Sequence, residues 1–131
     1  MYLDGRRERG YIQGVKTTYY RGTERTPTTP RAGTCLAECP RIAADYGDRV
    51  FEVEIDLAGL VVIEVALDAP VETLCNGDFP GDTIDARAAY VADGIDAIEY
   101  RDMSPRLRTH TTLRLLSPRA VARATVVCEL D

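Results

Sequence analysis

One strictly alternating segment near the middle of the chain constrains the fold more than any other feature. Apolar side chains take the odd positions of this segment and carboxylates the even ones: Phe51, Glu52, Val53, Glu54, Ile55, Asp56 and Leu57. A repeat of two is the period of a β-strand, in which successive side chains point to opposite faces of the sheet. The segment therefore predicts a strand with one buried face and one solvated face.

Further segments have the composition of strands. They are rich in β-branched and apolar residues and cover residues 17–20, 60–67, 111–116 and 122–127. We expect Gly22 to end the first of them, and the nearly continuous apolar run 60–67 to be a buried strand. A turn near Ser117 and Pro118 is expected to join the last two strands.

Two short helices fit between the strands. One is predicted to begin with Pro40 in its first turn and to stop at Gly47, and the other to span roughly residues 82–92 and stop at Gly94. Residues 23–32 and 68–81 are rich in Pro, Thr and Asp, which is typical of loops. The fold class predicted is α+β with mainly antiparallel strands, in a single domain over residues 1–131.

Charge and hydropathy exclude several classes of protein. The net charge of −5 argues against a nucleic-acid-binding protein, because contacts to phosphates require a basic surface. No apolar run approaches the roughly 20 residues of a membrane span, and the polar N-terminal residues do not resemble a signal peptide. We therefore expect a cytoplasmic protein without membrane association, and free thiols at the four cysteines.

Charged residues are segregated along the chain. Cations outnumber acids up to Arg31, acids dominate residues 51–99 where Arg87 is the one cation, and arginines return after Tyr100. One interpretation is that these are solvated faces of different elements. The other is that the basic ends of the chain meet around an anionic ligand.

The common catalytic motifs are absent. The sequence has no Gly-x-Gly-x-x-Gly, Gly-x-Ser-x-Gly, His-Glu-x-x-His or Cys-x-x-Cys. His110 is the only histidine, and we expect it at the surface or at a strand edge. Cys35 and Cys39 are expected to be buried small apolar residues, and no metal site is predicted.

Three motifs nevertheless follow one another in a definite order. They are Tyr20-Arg21-Gly22-Thr23, the stretch from Gly33 to Gly47 that contains Leu36 and Tyr46, and Gly94-Ile95-Asp96-Ala97-Ile98 followed by the strand from Thr111. In order and spacing, residues 17–121 resemble the ADP-ribosyltransferases. The resemblance implies two mainly antiparallel sheets, with two or more short helices, around a cleft that binds NAD as substrate.

The resemblance also implies roles for individual residues. The residues that would hold NAD are Tyr20, Arg21, Gly22, Thr23, Leu36 and Tyr46. Gly22 matches the glycine whose backbone holds the nicotinamide carboxamide, and Arg21 would contact the ribose or the pyrophosphate. Tyr46 matches the aromatic residue that stacks on nicotinamide, whereas Cys35 stands where some families have a second stacking tyrosine.

The reaction requires few catalytic groups. Nicotinamide leaves as a neutral molecule, so the main requirement is a carboxylate near an oxocarbenium-like transition state. Thr112 occupies the usual position of that acid, and the nearest acids are Glu99 and Asp102, which we expect just before the strand. This arrangement is similar to the small phage-encoded anti-CRISPR ADP-ribosyltransferases. By that similarity Asp102 is predicted as the catalytic acid, with Glu99 second and Arg21 assisting.

The predicted activity is mono-ADP-ribosylation of a protein target, for which the resemblance suggests a CRISPR effector subunit. Two alternatives remain open. The first alternative is a binding protein of this fold that lost its acid at Thr112. The second is an NAD glycohydrolase, in which water replaces the protein acceptor.

Overall fold

The computed structural model describes residues 6–9, 16–24, 29–75 and 77–130. Within these ranges there are eight strands: β1 (Arg6–Arg9), β2 (Lys16–Thr23), β3 (Cys35–Ala37), β4 (Arg49–Asp56), β5 (Val62–Val65), β6 (Ala97–Met103), β7 (Thr109–Leu115) and β8 (Ala124–Leu130). The helices in the same ranges are α1 (Pro40–Ala43), α2 (Ile84–Ala92) and α3 (Pro118–Ala122), with a short 3-10 helix at Val71–Thr73. Residues 25–28 of the first predicted loop lie outside the described residues.

The strands form one mixed sheet in the order β1-β5-β6-β7-β3-β2-β4-β8. Among the described pairings β5 and β6 run parallel and all others are antiparallel, which confirms the α+β class with mainly antiparallel strands. The prediction of two sheets is wrong, because β2 and β3 pair with each other. That pairing consists of one residue pair, Tyr20 with Ala37, so two halves of the sheet meet at a narrow junction.

Apolar residues cover both faces of the sheet. One core cluster contains Ala97 of β6 and Ala120 of α3, and the other contains Ile98 of β6 with Tyr90 of α2 packed against it. Neighbouring residues of one strand thus enter different clusters, as the pleat of a strand requires. Helix α3 therefore packs on one face and α2 on the other.

Most of the local predictions are confirmed. In β4 the apolar residues of the alternating segment are buried while Glu52 and Glu54 are half-buried, and β5 lies within the predicted buried run. Helix α1 begins at Pro40 as expected, but it ends at Ala43 rather than at Gly47, because residues 44–46 form a turn. Helix α2 follows Thr83, whose side chain accepts a hydrogen bond from the Ala86 N–H and caps the helix.

Three local predictions are wrong. Gly22 does not end β2 but pairs with Val50 inside it. Ser117 and Pro118 do not form a simple turn: Ser117 caps α3, and Pro118 occupies its first turn, where the missing N–H is tolerated. Glu99 and Asp102 lie within β6 rather than in a loop before the strand, because residues 97–103 pair along their whole length with β7.

A buried carboxylate joins three elements at one end of the sheet. Asp96 is 4% exposed, and its Oδ1 accepts a hydrogen bond from the Ser117 hydroxyl at 2.6 Å. Its Oδ2 accepts from the backbone N–H of Val61, just before β5, at 2.8 Å. Ser117 Oγ in turn accepts from the N–H of Ala120 at 3.1 Å. The charge is thereby satisfied by donors, and β5, β6 and α3 are held together.

Replacing Asp96 by alanine removes the acceptor of both donors in a buried place. Leaving a buried donor unsatisfied costs about 1–3 kcal/mol, so we expect Asp96→Ala to lower the free energy of unfolding by about 2 kcal/mol or more. Chemical denaturation followed by circular dichroism measures this change. The exposed Asp68 supplies the control, since Asp68→Ala is expected to stay within about 0.5 kcal/mol of the unsubstituted chain. Equal denaturation midpoints for the two variants would contradict the role given to Asp96.

Candidate functional site

A pocket of about 450 Å³ opens where β2, β3 and β7 meet the turn after α1. This volume lies in the range of small-molecule sites. Residues that are far apart in the sequence line it, among them five with a predicted role in binding NAD: Tyr20, Arg21, Gly22, Leu36 and Tyr46. Thr23, the sixth, does not line the pocket.

The pocket depends on the close approach of α1 to β2. A Cβ atom on Gly22 would lie 1.7 Å from the carbonyl oxygen of Ala43, and one on Gly47 would lie 2.3 Å from the Thr23 carbonyl carbon. Both positions must be glycine for the helix and its following turn to pack on the strand. This packing brings Tyr46 to the mouth of the pocket. Gly22 therefore has a structural role, in addition to the ligand contact that the resemblance implies.

The charge of the pocket is positive, although the chain carries a net charge of −5. Arg21, Arg31 and Arg87 line it, and no carboxylate does among the residues that the structure describes. Burial and then the charge of Arg31 lower the pKa of Arg21. The Arg21 Nη1 atom is shielded from solvent and has no hydrogen-bond partner within the described ranges. Such an arrangement favours an anionic ligand, which would supply the missing acceptor.

His110 lies in the wall of this pocket and is not a surface residue. It is 8% exposed, and its Nε2 lies 2.7 Å from the Tyr46 hydroxyl, with the two rings edge to face at 5.7 Å. The expectation of a surface or strand-edge position is therefore wrong. The cause is the register of β6 and β7, which places His110 directly opposite Asp102, while the turn after α1 covers it.

The two predicted catalytic acids lie on opposite faces of the sheet. Glu99 faces the cluster that contains Tyr19, whose hydroxyl lies 3.5 Å from the Glu99 Oε2, and it does not line the pocket. Asp102 lies on the pocket side, directly behind Thr112, whose hydroxyl donates to its Oδ2 at 3.2 Å. Of the two acids, only Asp102 lies next to the pocket. It contacts the pocket wall through the buried hydroxyl of Thr112.

The thiols differ from one another in environment. All four cysteines are free, as expected. Cys35 is half-buried in the pocket wall, where its sulfur lies 3.1 Å from the Arg114 Nε and 3.6 Å from the Tyr100 hydroxyl. Cys39 is exposed and not buried as expected, because it lies before α1 on the outside of the turn.

Two arginines that flank His110 in sequence have partners within the chain. Arg108 pairs with Asp45 at 3.1 Å, and Arg114 pairs with Asp82 at 2.8 Å. The Asp45 side chain is 5% exposed and also accepts from the Ser104 hydroxyl at 2.7 Å. Arg108 therefore stabilises the turn that carries Tyr46, and Arg114 stabilises the wall at Cys35.

Sequence reasoning missed His110, Arg31 and Arg87 as members of the site. A signal for His110 was available, because a hairpin with its turn at residues 104–108 places positions 102 and 110 opposite each other. No local signal exists for Arg87, which reaches the pocket from α2 across the loop that ends at Gly81.

No family model, curated protein or solved structure matches the chain. The likeness to the ADP-ribosyltransferases therefore rests on the sequence motifs. Over the described ranges no helix has the length and apolar composition needed to cross a bilayer. In those same ranges no three His, Cys, Asp or Glu side chains come together as metal ligands would.

The close approach of α1 to Gly22 is tested by Gly22→Ala, which adds a single methyl group. Because the added Cβ would overlap the Ala43 carbonyl, Gly22→Ala must displace α1. Overpacking of this kind typically costs about 1–3 kcal/mol, and we expect a loss of unfolding free energy in that range. Thermal denaturation measures it, with Thr18→Ala at an exposed position of the same strand as control. A Gly22→Ala protein as stable as the Thr18→Ala protein would contradict the packing argument.

Proposed function

We propose that the pocket binds NAD and that the protein is a mono-ADP-ribosyltransferase. The observation that carries this proposal is the convergence of two sequence motifs on one pocket. Tyr20, Arg21 and Gly22 come from β2, and Leu36 and Tyr46 come from β3 and the turn after α1. The motifs were matched to the family by their order in the sequence alone. If that match were due to chance, their residues would not be expected to line the same pocket, as they do.

The lining of the pocket supports a nucleotide ligand. Three arginines without a carboxylate among the described lining residues suit a pyrophosphate, which accepts several hydrogen bonds from guanidinium groups. Tyr46 is 39% exposed and lines the pocket, and an aromatic ring at this place suits stacking on a flat ligand ring. Gly22 lines the pocket without a side chain, so a ligand can approach the backbone there closely.

The transfer step needs an electrostatic partner for a cationic sugar. The bond between the ribose C1″ and the nicotinamide nitrogen breaks, its electron pair leaves with neutral nicotinamide, and the acceptor forms a new bond to C1″. Asp102 is the carboxylate next to the pocket wall, and we assign it the stabilisation of the oxocarbenium-like transition state. Its partner Thr112 is 2% exposed and Asp102 itself is half-buried, so solvent screens the charge only in part.

The proposed acceptor is a protein rather than a nucleic acid. The chain carries a net charge of −5, which disfavours a phosphate-rich partner. A CRISPR effector subunit is the candidate target that the sequence resemblance suggests. The turn between β6 and β7 lies beside Asp45, next to Tyr46, and carries Leu107, which is 76% exposed. An exposed apolar side chain near the pocket suits contact with a protein acceptor.

Removing one arginine from the pocket tests NAD binding. Arg21→Ala deletes a charged donor with an unpaired nitrogen, and hydrogen bonds to charged groups contribute about 1.5–3 kcal/mol, so we expect NAD to bind at least about tenfold more weakly. Isothermal titration calorimetry measures this. Arg106→Ala, which removes the same charge at an exposed turn, is the control and should bind like the unsubstituted protein. Equal affinity in both variants would place the ligand elsewhere.

Catalysis is tested with biotin-labelled NAD and a bacterial lysate. We expect a discrete labelled protein band that falls about 100-fold or more with Asp102→Asn, because loss of an electrostatic group at the transition state has effects of that size. Glu99→Gln is the matched control and should keep its label, since Glu99 lies on the opposite face of the sheet, beside Tyr19. Free ADP-ribose formed without an acceptor would instead indicate a glycohydrolase. NAD that binds but stays intact would indicate a binding protein.

A further inference from the structure

Three side chains of the pocket wall and one carboxylate behind it form a continuous chain of hydrogen bonds. The Tyr46 hydroxyl lies 2.7 Å from His110 Nε2, and His110 Nδ1 lies 3.4 Å from the Thr112 hydroxyl oxygen. The Thr112 hydroxyl donates to Asp102 Oδ2 at 3.2 Å. The members come from three separate parts of the fold: the turn after α1, β7 and β6. Such a chain connects the open pocket with a carboxylate behind its wall.

The direction of the hydrogen bonds follows from the partners. The Thr112 proton is used for Asp102, and the backbone carbonyl oxygen of Thr111, also 3.4 Å from His110 Nδ1, can only accept. His110 Nδ1 must therefore carry the proton. In a neutral imidazole this leaves a lone pair on Nε2, which then accepts the proton of the Tyr46 hydroxyl. All the donors point away from the pocket and toward Asp102.

Exposure distinguishes Tyr46 from the two middle members of the chain. His110 is 8% and Thr112 2% exposed, whereas Tyr46 is 39% exposed and meets the pocket. Burial, and then the negative charge of Asp102, raise the pKa of Tyr46 well above its usual value. Tyr46 therefore remains a phenol that donates to His110 and still has a lone pair toward the pocket.

We propose that Tyr46, His110, Thr112 and Asp102 form a proton relay that takes up the proton released by the ADP-ribose acceptor. This inference rests on the proposed function. As the acceptor bonds to C1″, its proton passes to the Tyr46 oxygen while the Tyr46 proton passes to His110 Nε2. The electron pair of the broken bond leaves with nicotinamide, and one proton is retained on His110. Asp102 stabilises the resulting imidazolium through Thr112.

The relay gives a reason for threonine at position 112. Its hydroxyl is placed to accept from His110 and to donate to Asp102 at the same time, which neither a carboxylate nor an apolar side chain can do. Thr112 acts through its neighbours and is a positioning residue. We therefore expect Thr112→Val to lower the transfer rate by about tenfold and Thr112→Ser to restore it.

The two members of the relay nearest the pocket opening, Tyr46 and His110, are tested by transfer rates. General acid–base catalysis contributes about 10²–10⁴-fold, so we expect His110→Gln and Tyr46→Phe to transfer ADP-ribose at least about 100-fold more slowly. Tyr46→Phe keeps the ring and is expected to bind NAD with unchanged affinity. Tyr100→Phe is the matched control, because the Tyr100 hydroxyl contacts Cys35 outside the relay.

The pH profile separates a relay from a purely structural role. A protonated imidazole accepts no further proton, so the relay works only while His110 is neutral. The wild-type transfer rate should therefore fall as the pH is lowered, and the residual rate of His110→Gln should lack this fall. Within the described ranges, the charged and titratable groups that act on Tyr46, the partner of His110, are Asp102, Cys35 and Asp45, and Asp45 is paired with Arg108.

The single histidine permits a test that does not depend on activity. Nitrogen-15 NMR of the imidazole should show the proton on Nδ1, and Tyr46→Phe should shift the Nε2 resonance. A proton on Nε2, or a His110→Gln protein with wild-type rate and pH profile, would overturn the relay while leaving the proposed function intact. A wild-type protein that neither binds nor cleaves NAD would overturn the proposed function and, with it, the relay.

Discussion

The contact between Gly22 and the carbonyl oxygen of Ala43 determines where the pocket lies. Because β2 has no side chain at this point, α1 rests directly on the strand, and the chain leaves the helix in a tight turn over the pocket. That turn places Tyr46 above His110 and Asp45 beside the β6–β7 turn. The contact of Tyr46 with His110, the proposed relay and the contact of Asp45 with Ser104 all depend on this close approach of α1 to β2.

The pocket and the rest of the molecule carry charges of opposite sign. The excess of acids lies outside the pocket, whereas three arginines from β2, the loop before β3 and α2 line it. Asp45, Asp82 and Asp96 are each matched with donors, so they hold elements together without lowering the positive potential of the pocket. An acidic protein can therefore keep a site for an anion.

Much of the local structure was predictable, since it depends on neighbours in sequence. The alternation in β4, the proline at the start of α1 and the cap of α2 each follow from local chemistry. The single sheet did not, because it requires the pairing of Tyr20 with Ala37 between strands of unrelated pattern. Tyr46 and His110 are separated by 64 positions and meet only once α1 packs on β2, so no local pattern indicates their contact. The residues that were predicted from motifs, Arg21, Gly22 and Leu36, lie on strands that form the pocket floor.

The junction between β2 and β3 has a consequence for the stability of the liganded protein. Tyr20 and Ala37, the pair at which the two halves of the sheet meet, both line the pocket. Under the proposed function, a molecule held by Arg21 and by His110 would span this junction. The two halves already share one apolar core, which contains Tyr19 of β2 and Leu113 of β7, and the ligand would add a polar link between them. Its binding free energy would then raise the free energy of unfolding of the whole sheet.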